Sequence, residues 1–332
     1  MPPRIVILCG PTATGKTKLG VALAKALDGE VVSADSMQVY RDMAIGTARP
    51  TAEEMEGVPH HMMAVADPAE AYSVARYVAE AVPVVDDILS RGKVPLIVGG
   101  TGLYIDALRR GQTFSARRPD SGLREKLRAR AEAEGLAALY EELKTVDPEA
   151  ADRLHPNDAK RILRALEVWY ETGETISAHD RRTRDLPPRY EAAVLALTYK
   201  DRSALYARID RRVDEMMKNG LADEVRALLD RGVPPDCTAM QAIGYKELVP
   251  AILSGRDLNA AAEEIKLRSR QYAKRQLTWF RRDKSAHWLT LDDPPDFSAL
   301  LRDSTDYLRQ IGLLKAHSRG WKKMENPAQR SV

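Results

Sequence analysis

The sequence predicts an α/β fold in which a parallel sheet is flanked by helices and interrupted by an all-helical inserted subdomain. Three observations carry that expectation. Short apolar runs at 5–8, 30–34, 94–98 and 192–197 are separated by helical patterns, as strands buried on both faces and joined by crossovers require. The run 5–8 leads directly into Gly10-Pro11-Thr12-Ala13-Thr14-Gly15-Lys16-Thr17 and then into a helical pattern at 18–27, which is the context of a G-x-x-x-x-G-K-T phosphate-binding loop. Between about 114 and 189 the chain is charged and alanine-rich, with no strand candidate.

Taken in order, the first strand delivers the loop, whose backbone N–H groups and following helix N-terminus face phosphate oxygens because those donors lack intrahelical partners. Lys16 adds a point charge, and Thr17 offers a hydroxyl where a phosphate-bound Mg²⁺ sits. The core is therefore P-loop NTPase-like. The second strand ends in Ser33-Ala34-Asp35-Ser36-Met37-Gln38. Since carboxyl ends of parallel strands line the ligand crevice, Asp35 is expected to face the phosphate loop. Capping a helix is its competing role, although Ser36 can serve there instead. The strand at 94–98 runs into Gly99-Gly100-Thr101-Gly102, not into the carboxylate that an NTP hydrolase uses to hold Mg²⁺ and its water, which weakens an ATPase reading.

The insertion has glycine and proline hinges at Gly111-Gln112-Thr113 and Leu186-Pro187-Pro188. Inside it, Asn157 is expected to cap a helix carrying Lys160, Arg161 and Arg164. The run 192–197 returns to the sheet, 287–291 adds a further strand, and amphipathic helices from Ser203 onward cover it. The expected organisation is an α/β core of 1–113 and 190–315, an inserted helical subdomain of 114–189, and a polar, frayed tail of 316–332.

A length of 332 residues suggests about two domains. The net charge of +3 is too mild to declare a nucleic-acid binder by itself, but basic residues cluster at 117–130, 160–164, 181–189 and 266–284. Read as a helix, 262–282 places Ile265, Tyr272 and Trp279 on one stripe and Arg268, Arg275 and Arg282 on another. The apolar stripe packs; the basic one is either a solvated face or a phosphate contact. Cys9 and Cys237 build neither a disulfide framework nor a four-ligand zinc site, so the expected compartment is the cytoplasm. Cys9 reads as a small packed side chain. His60 and His61 lack a third ligand at suitable spacing and are not read as a metal site. The N-terminal apolar stretch is too short for a signal peptide and ends in the phosphate loop, and the lack of any long apolar run argues against membrane spans.

Further motifs follow in order: SADSMQVYR at 33–41, IGTARP at 45–50, PHH at 59–61, GGTGLY at 99–104, HPNDAKRILRALEV at 155–168, AMQAIGYKE at 239–247 and YAKRQLTWFRR at 272–282. With GPTATGKT at 10–17, this ordered set resembles the tRNA dimethylallyltransferases, or tRNA isopentenyltransferases, of the bacterial type, over residues 5–282. HMMAVADP at 61–68 and MAIGTARP at 43–50 vary around the family's pattern without touching a proposed catalytic group. The zinc-finger extension of eukaryotic relatives is missing, and two cysteines could not build one.

The resemblance implies transfer of a dimethylallyl group from its diphosphate to the N6 amine of the adenosine 3′ of a tRNA anticodon, tRNA position 37. It implies Mg²⁺ as cofactor, dimethylallyl diphosphate and the anticodon stem-loop as partners, no membrane, and a monomer. The loop, Gly10, Pro11, Thr12, Ala13, Thr14, Gly15, Lys16 and Thr17, then holds diphosphate, with Arg208 as a weaker candidate whose competing role is a surface ion pair. Asp35 accepts a hydrogen bond from the amine and takes up its proton, and Thr101 positions the same adenine. Implied tRNA contacts are Asp35, Ser36, Met37, Gln38, Thr101, Lys160, Arg161, Ile162, Leu163, Arg164, Gly244, Tyr245, Arg268, Lys274, Arg275, Gln276 and Arg282, the two basic surfaces clamping the anticodon arm. A small-molecule or nucleoside kinase and a non-catalytic RNA-binding nucleotide switch would use the same loop, but neither accounts for the ordered motifs.

Overall fold

The structure, a computed structural model, describes residues 2–112, 121–184 and 187–313, without the side chains of Ser121 and Arg184. Thr113 and Leu186 of the expected hinges, the start of the insertion at Phe114, Arg117 and Arg118 of the first basic cluster, and the tail from 316 lie outside the described residues.

Among the described residues six strands form one parallel sheet: β1 (Arg4–Cys9), β2 (Gly29–Ser33), β3 (His60–His61), β4 (Val94–Gly99), β5 (Glu191–Tyr199) and β6 (His287–Leu291), in the order β3-β2-β4-β1-β5-β6. β1 is central, and Ile5, Val6, Ile7 and Leu8 are buried because helices cover both faces. The register sets Cys9 beside both Gly99 and Ala196, and Ser33 beside Val98, so the carboxyl ends of β1, β2 and β4 finish together. That levels three loops at one edge, where the strand order reverses. β3 departs from the sequence expectation. Two histidines make no apolar run, and the strand is held by pairing with Val31 and Val32 and by His61 Nε2 on Glu30 at 2.8 Å.

Four helices accompany the first half of the sheet: α1 (Lys16–Leu27), α2 (Ala52–Met55), α3 (Val74–Ser90) and α4 (Gly102–Arg110). α1 buries Leu19, Val21 and Leu23 against the sheet. The second half carries α10 (Arg202–Lys218), α11 (Leu221–Asp230), α12 (Tyr245–Leu253), α13 (Leu258–Phe280) and α14 (Phe297–Gln310). α13 packs on α10, α12 and α4, so its motif residues reach the ends of β1 and β4.

The chain divides into two compact units, Met1–Gly111 with Pro188–Val332, and Gln112–Pro187. The second holds α5 (Ser121–Ala133), α6 (Leu136–Val146), α7 (Pro148–Arg153), α8 (Ala159–Thr172) and α9 (Ile176–Arg184) around its own core of Leu127, Leu139, Leu143, Ile162 and Leu166. Asp158, not Asn157, caps α8: its Oδ1 accepts the Arg161 amide at 3.2 Å. Aspartate adds a charge that suits a helix N-terminus. Among the described residues no helix is long and apolar enough to cross a membrane.

Candidate active site

The loop between β1 and α1 is shaped by its own side chains. Gly15 sits in the left-handed region at φ 77°, and a Cβ there would fall 2.4 Å from the Phe297 ring, so conformation and space both demand glycine. Buried Thr14 donates its hydroxyl to the Pro11 carbonyl at 2.8 Å. Its hydroxyl is thus spent on the turn. Among the described residues no side chain caps α1, which leaves the first-turn amides and the positive end of the helix dipole for an anion. Lys16 Nζ donates to the Gly10 and Pro11 carbonyls at 3.0 and 2.7 Å. Desolvation, reinforced by the Arg212 charge, lowers its pKa to about 8.

These groups open onto a cavity of about 380 Å³ lined by Lys16, Thr17, Asp35, Ser36, Met37, Gln38, Arg212, Gly244, Tyr272, Arg275 and Gln276, among others. Asp35 follows β2. Its Oδ1 accepts the Met37 amide at 2.9 Å and the Gln38 amide at 3.3 Å, so it closes its own turn. Both bonds fall on one oxygen. Thr101, at the start of α4, accepts the Ser36 amide through Oγ1 at 3.0 Å. The competing reading of Thr101, a hydroxyl bonded to its own turn, is replaced by this bridge between two strand ends. Gly99 permits the approach, since a Cβ there would lie 2.2 Å from the Ala34 carbonyl oxygen.

Sequence reasoning misses Arg212. It lies on α10 one turn after Arg208 and lines the cavity with Lys16 and Asp35. No hydrogen bond or ion pair engages its guanidinium among the described residues, and desolvation lowers its pKa, opposed by Asp35. A desolvated, unpartnered guanidinium is a costly arrangement that an anion relieves. Arg208 makes no ion pair among the described residues; its Nε donates to the Ala13 carbonyl at 3.4 Å, and its guanidinium lies 5.9 Å from the Tyr199 ring centre. It braces the loop. Only the four-residue spacing of Arg208 and Arg212 signals the pair in the sequence.

Several expected tRNA contacts prove interior. Gln276 is 6% exposed and bridges two loops, accepting the Thr12 amide at 3.0 Å and donating to the Gly100 carbonyl at 2.9 Å. Tyr245 is buried with its hydroxyl on Glu224, although Gly244 beside it lines the cavity. Ile162 is in the core of the helical unit and Leu163 packs against it. Arg164 joins Arg124 on Glu167, which is 2% exposed, so it serves a buried carboxylate. Lys160 and Arg161 are exposed, Arg161 with Asp158 at 3.0 Å. Gln38 is partly spent, donating to the Thr47 carbonyl at 3.2 Å.

On α13, Ile265 is buried and Tyr272 borders the cavity, where burial and the Asp35 charge push its phenol up to about 12. Trp279 packs over Gly102 and donates Nε1 to Asp106 at 2.9 Å. Arg275 and Arg282 lie 5.7 and 5.2 Å from the ring centres of Tyr272 and Trp279, and Arg268 pairs with Glu264. Lys274 is exposed. Arg282 lies just beyond the end of α13. Alternating aromatic and guanidinium groups suit bases and phosphates. Cys9 is buried and its thiol is pushed up to about 12, which fits packing and not nucleophilic chemistry.

Among the described residues no three His, Cys, Asp or Glu side chains gather as a metal site. The Thr17 hydroxyl on the cavity is a hard oxygen donor, and Mg²⁺ keeps several waters and needs few protein groups beside substrate phosphates. The residues fit that ion.

A family model described as IPP transferase matches residues 38–283, and one described as isopentenyl transferase matches residues 3–64. The chain is 48% identical over 309 residues to a tRNA dimethylallyltransferase of Geobacillus thermodenitrificans, covering 93% of this chain and 97% of that one. A tRNA dimethylallyltransferase of Caldanaerobacter subterraneus is 48% identical over 306 residues, with 92% and 97% covered. Among solved structures, the full-length tRNA isopentenylpyrophosphate transferase of Bacillus halodurans aligns with a TM-score of 0.69 at 43% identity, over 92% of this chain and 96% of that one. A eukaryotic dimethylallyltransferase captured acting on tRNA aligns with a TM-score of 0.73 at 30% identity, over 93% and 80%.

Proposed function

The chain belongs to the IPP transferase family and is a tRNA dimethylallyltransferase by activity, and from this premise we propose how its residues divide the reaction between two ends of one cavity. The donor is dimethylallyl diphosphate and the acceptor is N6 of the adenosine 3′ of the anticodon. The carbon–oxygen bond to diphosphate breaks as the carbon–nitrogen bond forms, and one N6 proton leaves.

Negative charge develops on the departing diphosphate. Lys16, the uncapped α1 N-terminus and Arg212 meet it. Thr17, together with the diphosphate oxygens, would hold Mg²⁺, which when bound supplies further neutralisation of the leaving group. Positive charge develops on the amine. Asp35 accepts the N6–H, directs the nitrogen lone pair and takes the proton, which it then releases to water. Because Oδ1 is committed to the turn, Oδ2 is the oxygen for this task. Thr101 holds the Ser36 amide and so fixes the turn that aims Asp35. Lys274 and Arg275 on α13, Arg282 just beyond its end, and Lys160 and Arg161 on α8, bind phosphates of the anticodon stem-loop, whose target base leaves its stack to enter the cavity.

The observation that carries this reading is the placement of Asp35 on the same cavity as the phosphate loop and an unpartnered arginine. Incubating the protein and Mg²⁺ with unmodified tRNA and dimethylallyl diphosphate, then weighing the nucleosides, tests it. The expected result is a dimethylallyl mass increase on adenosine. ADP formed from ATP in a parallel tube, with no such increase, would favour a kinase instead.

A further inference from the structure

The IGTARP and AMQAIGYKE motifs, at 45–50 and 239–247, meet in the fold, and the group that joins them is Glu224 on α11. Its Oε2 accepts the amides of Ala44 and Ile45, both at 2.8 Å, and its Oε1 accepts the Gly46 amide at 3.1 Å and the Tyr245 hydroxyl. Three successive amides converge on one carboxylate. Gly46 makes this possible, since a Cβ there would lie 2.4 Å from the Tyr245 ring. The segment is held again at its other end, where Gln38 Nε2 donates to the carbonyls of Thr47 and Ala48 at 3.2 and 3.4 Å. Ala48 has φ 45°, a left-handed conformation that alanine keeps only when its surroundings enforce it.

Gly46, Thr47 and Ala48 line the same cavity as Asp35, and so do Gln241 and Gly244. The phosphate loop and Arg212 do not depend on this segment for any hydrogen bond among the described residues. We infer that Glu224 is a positioning residue for the acceptor wall of the cavity: its carboxylate fixes 44–48 so that the wall receives the tRNA nucleotide opposite the diphosphate end. This rests on the transferase reading above. Charge-assisted bonds to backbone amides are the strong kind, and a carboxylate satisfies three of them where a neutral side chain does not. Removing it frees the segment to relax from its strained turn, and the cost falls on one substrate.

The test compares Glu224→Ala, Glu224→Gln and Glu30→Ala. The last unpairs Arg91 and His61 outside the cavity lining and serves as a control for lost stability alone. With an anticodon stem-loop and dimethylallyl diphosphate as substrates, Glu224→Ala should raise KM for the RNA by about tenfold or more while KM for the donor stays within about twofold. Glu224→Gln keeps the shape and one acceptor oxygen and should fall between the wild type and Glu224→Ala. The amides of 44–46 should exchange faster in both variants and not in the control. Equal effects on both substrates, an RNA KM that tracks the melting temperature as the control does, or unchanged amide exchange at 44–46 would each overturn the inference. If the wild type made no dimethylallyladenosine, the transferase reading would fail, while amide exchange and direct RNA binding would still judge Glu224.

Discussion

The hydroxyl of Thr101 accepts the Ser36 amide at 3.0 Å and approaches the Ser36 hydroxyl at 3.3 Å, tying the glycine turn after β4 to the turn that carries Asp35. The two strand ends are therefore tied to each other. Thr101→Val keeps the shape and removes the bond, so single-turnover transfer to tRNA should fall by about 10- to 100-fold through misplacement of the carboxylate. Thr101→Ser should recover most of it. A Thr101→Val rate equal to wild type would show that the bridge plays no part.

Lys16 makes opposite demands on stability and binding. Its pKa in the fold, about 8, lies below the ordinary 10.5 because the pocket desolvates it and Arg212 is near. Between those values the unfolded chain holds a proton that the fold has released, so this group makes stability rise with pH across that window. Donor binding needs the ammonium and should weaken as pH climbs past about 8. Lys16→Met should abolish both trends. Melting temperature and donor affinity, each followed from pH 7 to 10, check the signs.

Arg212 should matter more than Arg208, because the first has an open guanidinium in the cavity and the second only a long bond to the Ala13 carbonyl. Arg212→Ala should weaken donor binding by about 10- to 100-fold, the range for a charge-assisted contact in a desolvated site. It should also raise the pKa seen in donor binding, since a positive neighbour of Lys16 is gone. Calorimetric titration with dimethylallyl diphosphate at several pH values reads both effects, and a donor affinity untouched by Arg212→Ala would remove it from the site.

Affinity for tRNA should fall steeply with salt while donor affinity changes far less, because each phosphate contact releases counterions from the RNA. Replacing Lys274, Arg275 or Arg282 singly by alanine should flatten the slope of log K against log salt by about one unit or less each. Equal salt slopes for the two substrates would speak against a phosphate grip. Arg164→Ala should instead lower stability, since it leaves the buried Glu167 with a single arginine.

Strands buried on both faces leave unbroken apolar runs, so β1, β2, β4 and β5 are legible in the sequence, as is the phosphate loop after β1, while the edge strand β6 shows only as the short run 287–291. β3 is not, because two edge histidines gain their place from Glu30 and the neighbouring strand. A motif marks a neighbourhood and not the exposure of each side chain. That is why Ile162, Tyr245 and Gln276 read as RNA contacts yet lie in the interior. Arg212 escapes for the opposite reason: on a helix rich in arginine, only the fold separates the one that enters the cavity from those in solvent.

The most direct test of the account is the single-turnover rate of Asp35→Asn with unmodified tRNA. Asparagine keeps an oxygen where Oδ1 accepts the Met37 and Gln38 amides, so the turn survives while the charge and the proton acceptor are lost. The rate should fall by about 10²- to 10⁴-fold with folding and donor affinity preserved. A rate equal to wild type would contradict it and leave Asp35 as the cap of its own turn.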